Sequence, residues 1–243
     1  MRQVNYIPFL KSPEFKAWLR RSRKARSKIL ASGKPANFNQ AIWADLKQIL
    51  IDLNNEKCMY CEGQYLAGSH DDAEHYRPKG EVTEWDEAGE VRRKVVHPGY
   101  YWLAYEWQNI LLACTKCNSA HPAGGCYSKS CATAHVDGTH GPHPGKAIEF
   151  PLAVGSNRCA NPGPTPNRWW KELKAEEPLL LHPYFDRCDE HFAVAKFGVI
   201  YGITPRVEPR CEHATSIAPG CAAPAGTLRG RFARMPPCCA SFI

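Results

Sequence analysis

Apolar residues recur near helical spacing in two N-terminal stretches. Ser12, Pro13 and Glu14 read as an N-cap, a first-turn proline and an acid favoured by the helix dipole. Phe15, Trp18, Leu19, Ile29 and Leu30 then form one face of a helix that ends near Gly33. A second helix follows Asn39, with Ile42, Trp43, Leu46, Ile49, Leu50 and Leu53 as its apolar stripe, and Asn54-Asn55 close it. Beyond this point the pattern shortens. A strand is expected at Ala73 to Tyr76, a turn at Pro78-Lys79-Gly80 and a charged surface excursion over 83–97. An aromatic helix should open at Pro98, and a strand should run from Asn109 to Cys114.

From Pro122 to Lys146 the chain is Gly, Pro, Ser, His and Cys without periodicity, which predicts a long loop. Order should return at Phe150-Pro151-Leu152. A helix is expected at Trp169 to Glu177 and a hairpin at Phe192 to Ile203, turning through Gly198. The 37 residues from Val207 are rich in Pro, Ala, Gly, Arg and Cys, and are expected to be disordered or poorly packed. The domain reading is a basic helical region at 1–56, a core at 57–155 carrying the 122–146 loop, an extension at 156–206, and a tail at 207–243.

Charge adds to this picture. The chain of 243 residues carries a formal net charge of +7, and residues 1–50 hold eleven Lys or Arg against Glu14 and Asp45. One side of the first helix, with Arg20, Arg21, Arg23, Lys24, Arg26 and Lys28, can face a polyanion or simply solvent. No run approaches the roughly 18 to 20 apolar residues of a membrane span, and MRQVNYIPFLKSPEF lacks the pattern of a signal peptide. A cytoplasmic location is therefore expected, where twelve cysteines favour metal ligation over disulfides.

Cys58-x2-Cys61 and Cys114-x2-Cys117 are two matched knuckles, the arrangement that closes a four-thiolate tetrahedral Zn²⁺ site. With no ligand position left open, that zinc would be structural. Beside the knuckles lie Glu74-His75 on one side and Asn109 and Asn118 on the other.

The segments CMYCE, AEHYRPKG, YYWLAYEWQNILLACTKCNS and FPL resemble an HNH (ββα-metal) endonuclease, in particular the branch associated with retron and Septu-type antiphage defence systems. EEPLLLHPYFD and EHF extend the likeness to about residue 206. The resemblance implies an α+β fold, in which a ββα-metal core with a four-Cys zinc site follows two helices and precedes a small irregular α/β extension. It also implies hydrolysis of DNA phosphodiester bonds, with an ATPase as partner.

His75 suits the general base, and Glu74 and Asn118 offer oxygen ligands to a catalytic Mg²⁺ or Mn²⁺. By the resemblance, Asn109 tethers the loop that holds His75. Arg77 and Lys79 can contact phosphates or serve as plain surface charge. Asparagine at 118 stands where some nucleases of this type have histidine, but it is also a variant within the family and favours an oxygen-preferring ion over zinc; His121, followed by Pro122, is not taken as a ligand.

The segment between CNS and FPL is an insertion. Its Cys126, Cys131, His135 and His140 have a spacing that matches no strong zinc pattern, so a mobile loop is expected. The tail composition resembles translation in a shifted frame, so a truncated or frameshifted copy is expected. The competing readings are a zinc-stabilised nucleic-acid-binding module that does not cut, which needs neither His75 nor Glu74, and an HNH nuclease directed at RNA.

Overall fold

Two capped helices open the fold. The computed structural model describes residues 1–33, 37–64, 72–85, 92–119, 146–160, 171–194, 200–204 and 206. The expectations for the 122–145 insertion with its Cys and His residues, for His121, for Trp169-Trp170, for Gly198 and for the tail from 207 lie outside the described residues.

A short helix, α1 (Ile7–Lys11), leads into α2 (Pro13–Ser32). Ser12 Oγ accepts the Phe15 N–H at 3.1 Å, Pro13 sits where no helical N–H is needed, and Gly33 ends the helix in the left-handed region at φ 63°. Helix α3 (Gln40–Leu53) is capped by Asn39, whose Oδ1 accepts the Ala41 N–H. The helices cross with Phe15, Trp18, Leu46 and Leu50 buried between them and the rest of the core, and Trp18 Nε1 donates to the Ile42 carbonyl at 2.7 Å. Among the described residues, three of the eleven N-terminal cations are paired: Arg26 with the buried Glu106, Arg21 with Asp45 and Arg2 with Glu62.

The strands are short. β1 (Asp72–His75) pairs antiparallel with β4 (Ile110–Ala113), Glu74 opposite Leu111 and His75 opposite Ile110. All four residues of β4 are buried, as befits a continuous apolar run with structure on both sides. The charged stretch after Pro78 is a hairpin: β2 (Val82–Trp85) pairs with β3 (Arg92–Val95). It is tied to the core because Thr83 N–H donates to the Ile148 carbonyl and Phe150 N–H to the Thr83 carbonyl.

The aromatic segment is not the helix its composition predicts. Tyr101–Leu103 and Trp107–Asn109 form single 3₁₀ turns, closed by bonds such as Leu103 N–H to Tyr100 O. Every residue from Tyr100 to Glu106 is buried, which a straight helix with one apolar face cannot achieve. The run starts from Gly99 at φ 76°, where a Cβ would stand 1.6 Å from the Gly80 carbonyl oxygen, so the two backbones touch only because residue 99 is glycine.

After β4 comes one turn of helix, α4 (Thr115–Asn118). Residues 171–174 are helical, and β5 (Phe192–Val194) pairs with β6 (Ile200–Gly202), the two strands of the expected hairpin. The mixed α and β content and small two-stranded sheets agree with an α+β reading.

Arg77 and Glu176 clasp the 171–194 region to the core. Arg77 Nε donates to Glu176 Oε2 at 2.8 Å, and its Nη2 donates to the Leu173 carbonyl. Glu176, fully buried, also accepts from Tyr100 Oη at 2.7 Å and from the Cys159 N–H at 2.8 Å. Glu176→Ala leaves an unpaired buried guanidinium and is expected to cost about 3–5 kcal/mol, read as a lowered midpoint in urea denaturation. A loss under 1 kcal/mol would contradict the clasp.

Candidate metal centre and active-site cleft

The four cysteine sulfurs of the two knuckles all lie within 4.8 Å of one another. Cys61 and Cys114 Sγ are 3.8 Å apart, which is the edge expected of a tetrahedron whose Zn–S bonds are about 2.3 Å. Backbone N–H groups aim at the sulfurs: Cys114 N–H at Cys58 Sγ, 3.3 Å, and Gly63 N–H at Cys61 Sγ, 3.4 Å. Hydrogen bonds from Cys117 and Cys58, with the Gly63 N–H, pull the Cys61 thiol below its ordinary pKa, while the same thiol contacts push Cys117 up. Among the described residues no other group of three or more His, Cys, Asp or Glu meets metal-binding spacing.

The first knuckle is built by a chain reversal after α3. Asn55 and Glu56 take left-handed φ of 52° and 57°, and the buried Asn54 amide donates to the Lys57 carbonyl. Met59 N–H then donates to the Leu112 carbonyl, and Leu112 N–H to Met59 Sδ, so this knuckle grips β4 directly.

Beside the thiolate cluster, β1 and α3 enclose a cleft of about 300 Å³. One wall is the helix face Gln40, Trp43, Ala44 and Lys47, spaced to lie on one side of α3. Asp72, Glu74, His75, Lys79 and Asn118 line the rest. The cleft therefore gathers four of the expected site residues, Glu74, His75, Lys79 and Asn118.

His75 is 4% exposed, and its ring packs edge-on against Trp43 with centroids 4.9 Å apart. Burial, reinforced by the positive charge of Lys79 and Lys146, lowers its pKa to about 3, so the imidazole is neutral across the physiological range. Nε2 lies 3.0 Å from the Ala104 carbonyl oxygen. A carbonyl can only accept, which places the proton on Nε2 and leaves the Nδ1 lone pair unprotonated.

Asn118 Nδ2 donates to Asp72 Oδ2 at 2.7 Å. Its Oδ1, the Asp72 carboxylate and the Glu74 carboxylate are hard oxygen donors of the kind Mg²⁺ or Mn²⁺ takes.

Asn109 is buried outside the cleft lining. Its Oδ1 accepts the Arg77 N–H at 2.8 Å and its Nδ2 donates to the Arg77 carbonyl at 3.0 Å, while Tyr76 N–H donates to the Asn109 backbone carbonyl. It thus pins the backbone that leaves His75. Arg77 does not line the cleft, being held by Glu176. Lys79 does, with its ammonium 4.7 Å from the Trp43 ring centroid and its pKa lowered by burial.

The chain is 32% identical over 155 residues to a Septu protein PtuB of Bacillus mycoides (strain KBAB4), a match that takes in 64% of this chain and 40% of that protein. The chain is similar to a Septu protein. It spans well under two thirds of that relative's length. No family model matches the chain, and no solved structure matches it. Among the described residues, no helix is long and apolar enough to cross a membrane.

Three residues of this region carry no local signal in the sequence. Asp72 is the second of two adjacent acids ahead of the motif, Lys47 reads as helix surface, and Lys146 closes a stretch that predicts only a loop. Lys146 nevertheless donates to Glu74 Oε1 at 2.7 Å, across 72 positions of sequence.

Zinc analysis of the purified chain is expected to find one ion per molecule, and a strong chelator or Cys114→Ser should release it together with a large loss of thermal stability. Metal-free protein that melts at the same temperature as the zinc form would contradict a structural role.

Proposed function

We propose that this chain is a metal-dependent endonuclease of the HNH type that hydrolyses DNA with His75 as general base, and that it serves in a Septu-type antiphage defence system. The reading rests chiefly on one observation. Residues from distant parts of the chain converge on the cleft, where a buried histidine oriented by the Ala104 carbonyl stands beside Glu74, Asp72 and Asn118.

The chemistry follows from those groups. His75 Nδ1 takes a proton from a water molecule as the water oxygen bonds to phosphorus. The P–O bond on the far side breaks, and the departing oxygen takes a proton from solvent. The Ala104 carbonyl holds the ring orientation and disperses the charge that forms on the imidazolium. Glu74 and Asn118, with Asp72 alongside, would hold the divalent ion. Such an ion supplies neutralisation of the charge that builds on phosphorus and on the leaving oxygen.

Lys79 and Lys47 line the cleft and would take the phosphate contacts in this reading, since Arg77 is committed to Glu176. The exposed cations of α2 extend the positive surface available to a polyanion. The defence role is supported by the likeness to a Septu protein, and an ATPase partner is proposed with it.

Zinc-loaded wild type should nick supercoiled plasmid when Mg²⁺ or Mn²⁺ is added and stop when EDTA is present. His75→Ala should lower the rate by about 10²–10⁴-fold while leaving DNA binding intact. Wild type that binds DNA without cutting it would favour the non-cleaving binding module. Cleavage of labelled RNA but not plasmid would move the substrate to RNA.

A further inference from the structure

Lys146 carries a charged ammonium that is 7% exposed. Its Nζ donates to Glu74 Oε1 at 2.7 Å, to the His75 carbonyl at 3.0 Å and to the Ala147 carbonyl at 3.3 Å. An ammonium has three N–H donors, and all three are used. The backbone that delivers it is fixed to the second knuckle, since Lys146 N–H donates to the Cys117 carbonyl at 2.8 Å and Ala147 N–H to the Asn118 carbonyl at 2.6 Å. This is a built contact. A charge buried to this degree persists only when it is paired and fully hydrogen-bonded.

The local charge balance makes the contact consequential. Glu74 and Asp72 contribute two negative charges, and Lys146, Lys79 and Lys47 three positive ones. The cleft therefore carries a net positive charge as it stands, and a divalent cation approaching Glu74 meets the ammonium groups of Lys146 and Lys79.

Building on the nuclease reading above, we propose that Lys146 is a latch on the active site: its ammonium holds the cation position at Glu74, and a divalent ion gains that carboxylate only by displacing it. Once displaced, Lys146 keeps its bonds to the His75 and Ala147 carbonyls and turns its third N–H to a phosphate oxygen of the substrate. Lys146 thereby exchanges a carboxylate for a phosphate, and recruitment of the ion is coupled to arrival of the nucleic acid.

The test is Mn²⁺ binding to the zinc-loaded full chain without nucleic acid, followed by the electron paramagnetic resonance signal of free Mn²⁺. Lys146→Met should bind Mn²⁺ more tightly than wild type by about tenfold or more, because one opposing charge has gone. Lys146→Gln retains two N–H donors for the carbonyls, and it decides the question should the Met variant fail to fold. Adding Glu74→Gln to either variant should abolish the gain.

Lys146 variants that bind Mn²⁺ no tighter than wild type, while Glu74→Gln weakens binding, would overturn the latch and leave the nuclease reading standing. If the double variant binds as tightly as the single one, Glu74 is not a ligand, and both latch and metal assignment fall.

Discussion

Four sulfur atoms held within 4.8 Å of one another set the dimensions of the rest of this molecule. The first pair hangs from the end of α3, the second directly follows β4, and a metal ion joining them would fix helix and strand at one distance. β1 takes its register from β4, so Glu74 stands opposite Leu111 and His75 opposite Ile110. Asn118 is the residue after Cys117, and Lys146 is bonded to the Cys117 carbonyl. Asn118 and Lys146 are thus one covalent or hydrogen bond from the second knuckle, and Glu74 and His75 reach it through β4. This matters because catalysis depends on placement to within about 0.5 Å, and the short strands alone are too small to hold such placement.

Burial does the electrostatic tuning. Trp43 packs against His75 and burial disfavours the charged imidazolium, while the Ala104 carbonyl selects the tautomer. The same dry surroundings oblige the nearby charges to pair. Lys146 takes Glu74, and Arg77 takes Glu176 on the opposite side of the β1 turn, with Asn109 pinning the backbone between. Alternate residues from the end of β1 therefore serve different ends: His75 and Lys79 line the cleft, and Arg77 holds the fold.

Features that act locally were legible in the sequence. Ser12 and Asn39 cap the helices as expected, Gly33 stops one in the left-handed region, and the paired CxxC motifs meet in space. Features that depend on distant partners were not. Val82–Trp85 and Arg92–Val95 read as charged surface, because the core contacts that make them a hairpin come from Ile148 and Phe150. The aromatic segment has helix-like composition, yet a requirement to bury every ring breaks it into 3₁₀ turns. Arg77 resembles a phosphate contact until Glu176, 99 positions later, is seen to hold it. Lys146 was hidden for the same reason, its meaning lying wholly in residues 71 and 72 positions away.

The central claim is that the cleft beside the thiolate cluster is a second metal site and the seat of catalysis. The most direct measurement is anomalous X-ray diffraction from crystals of the zinc-loaded chain grown with Mn²⁺ and a short DNA duplex, collected so as to separate manganese from zinc. The account predicts zinc among Cys58, Cys61, Cys114 and Cys117, and manganese in the cleft in contact with Glu74 and Asn118 oxygens, with a phosphate beside His75. Manganese absent from the cleft while DNA is bound elsewhere on the surface would contradict it.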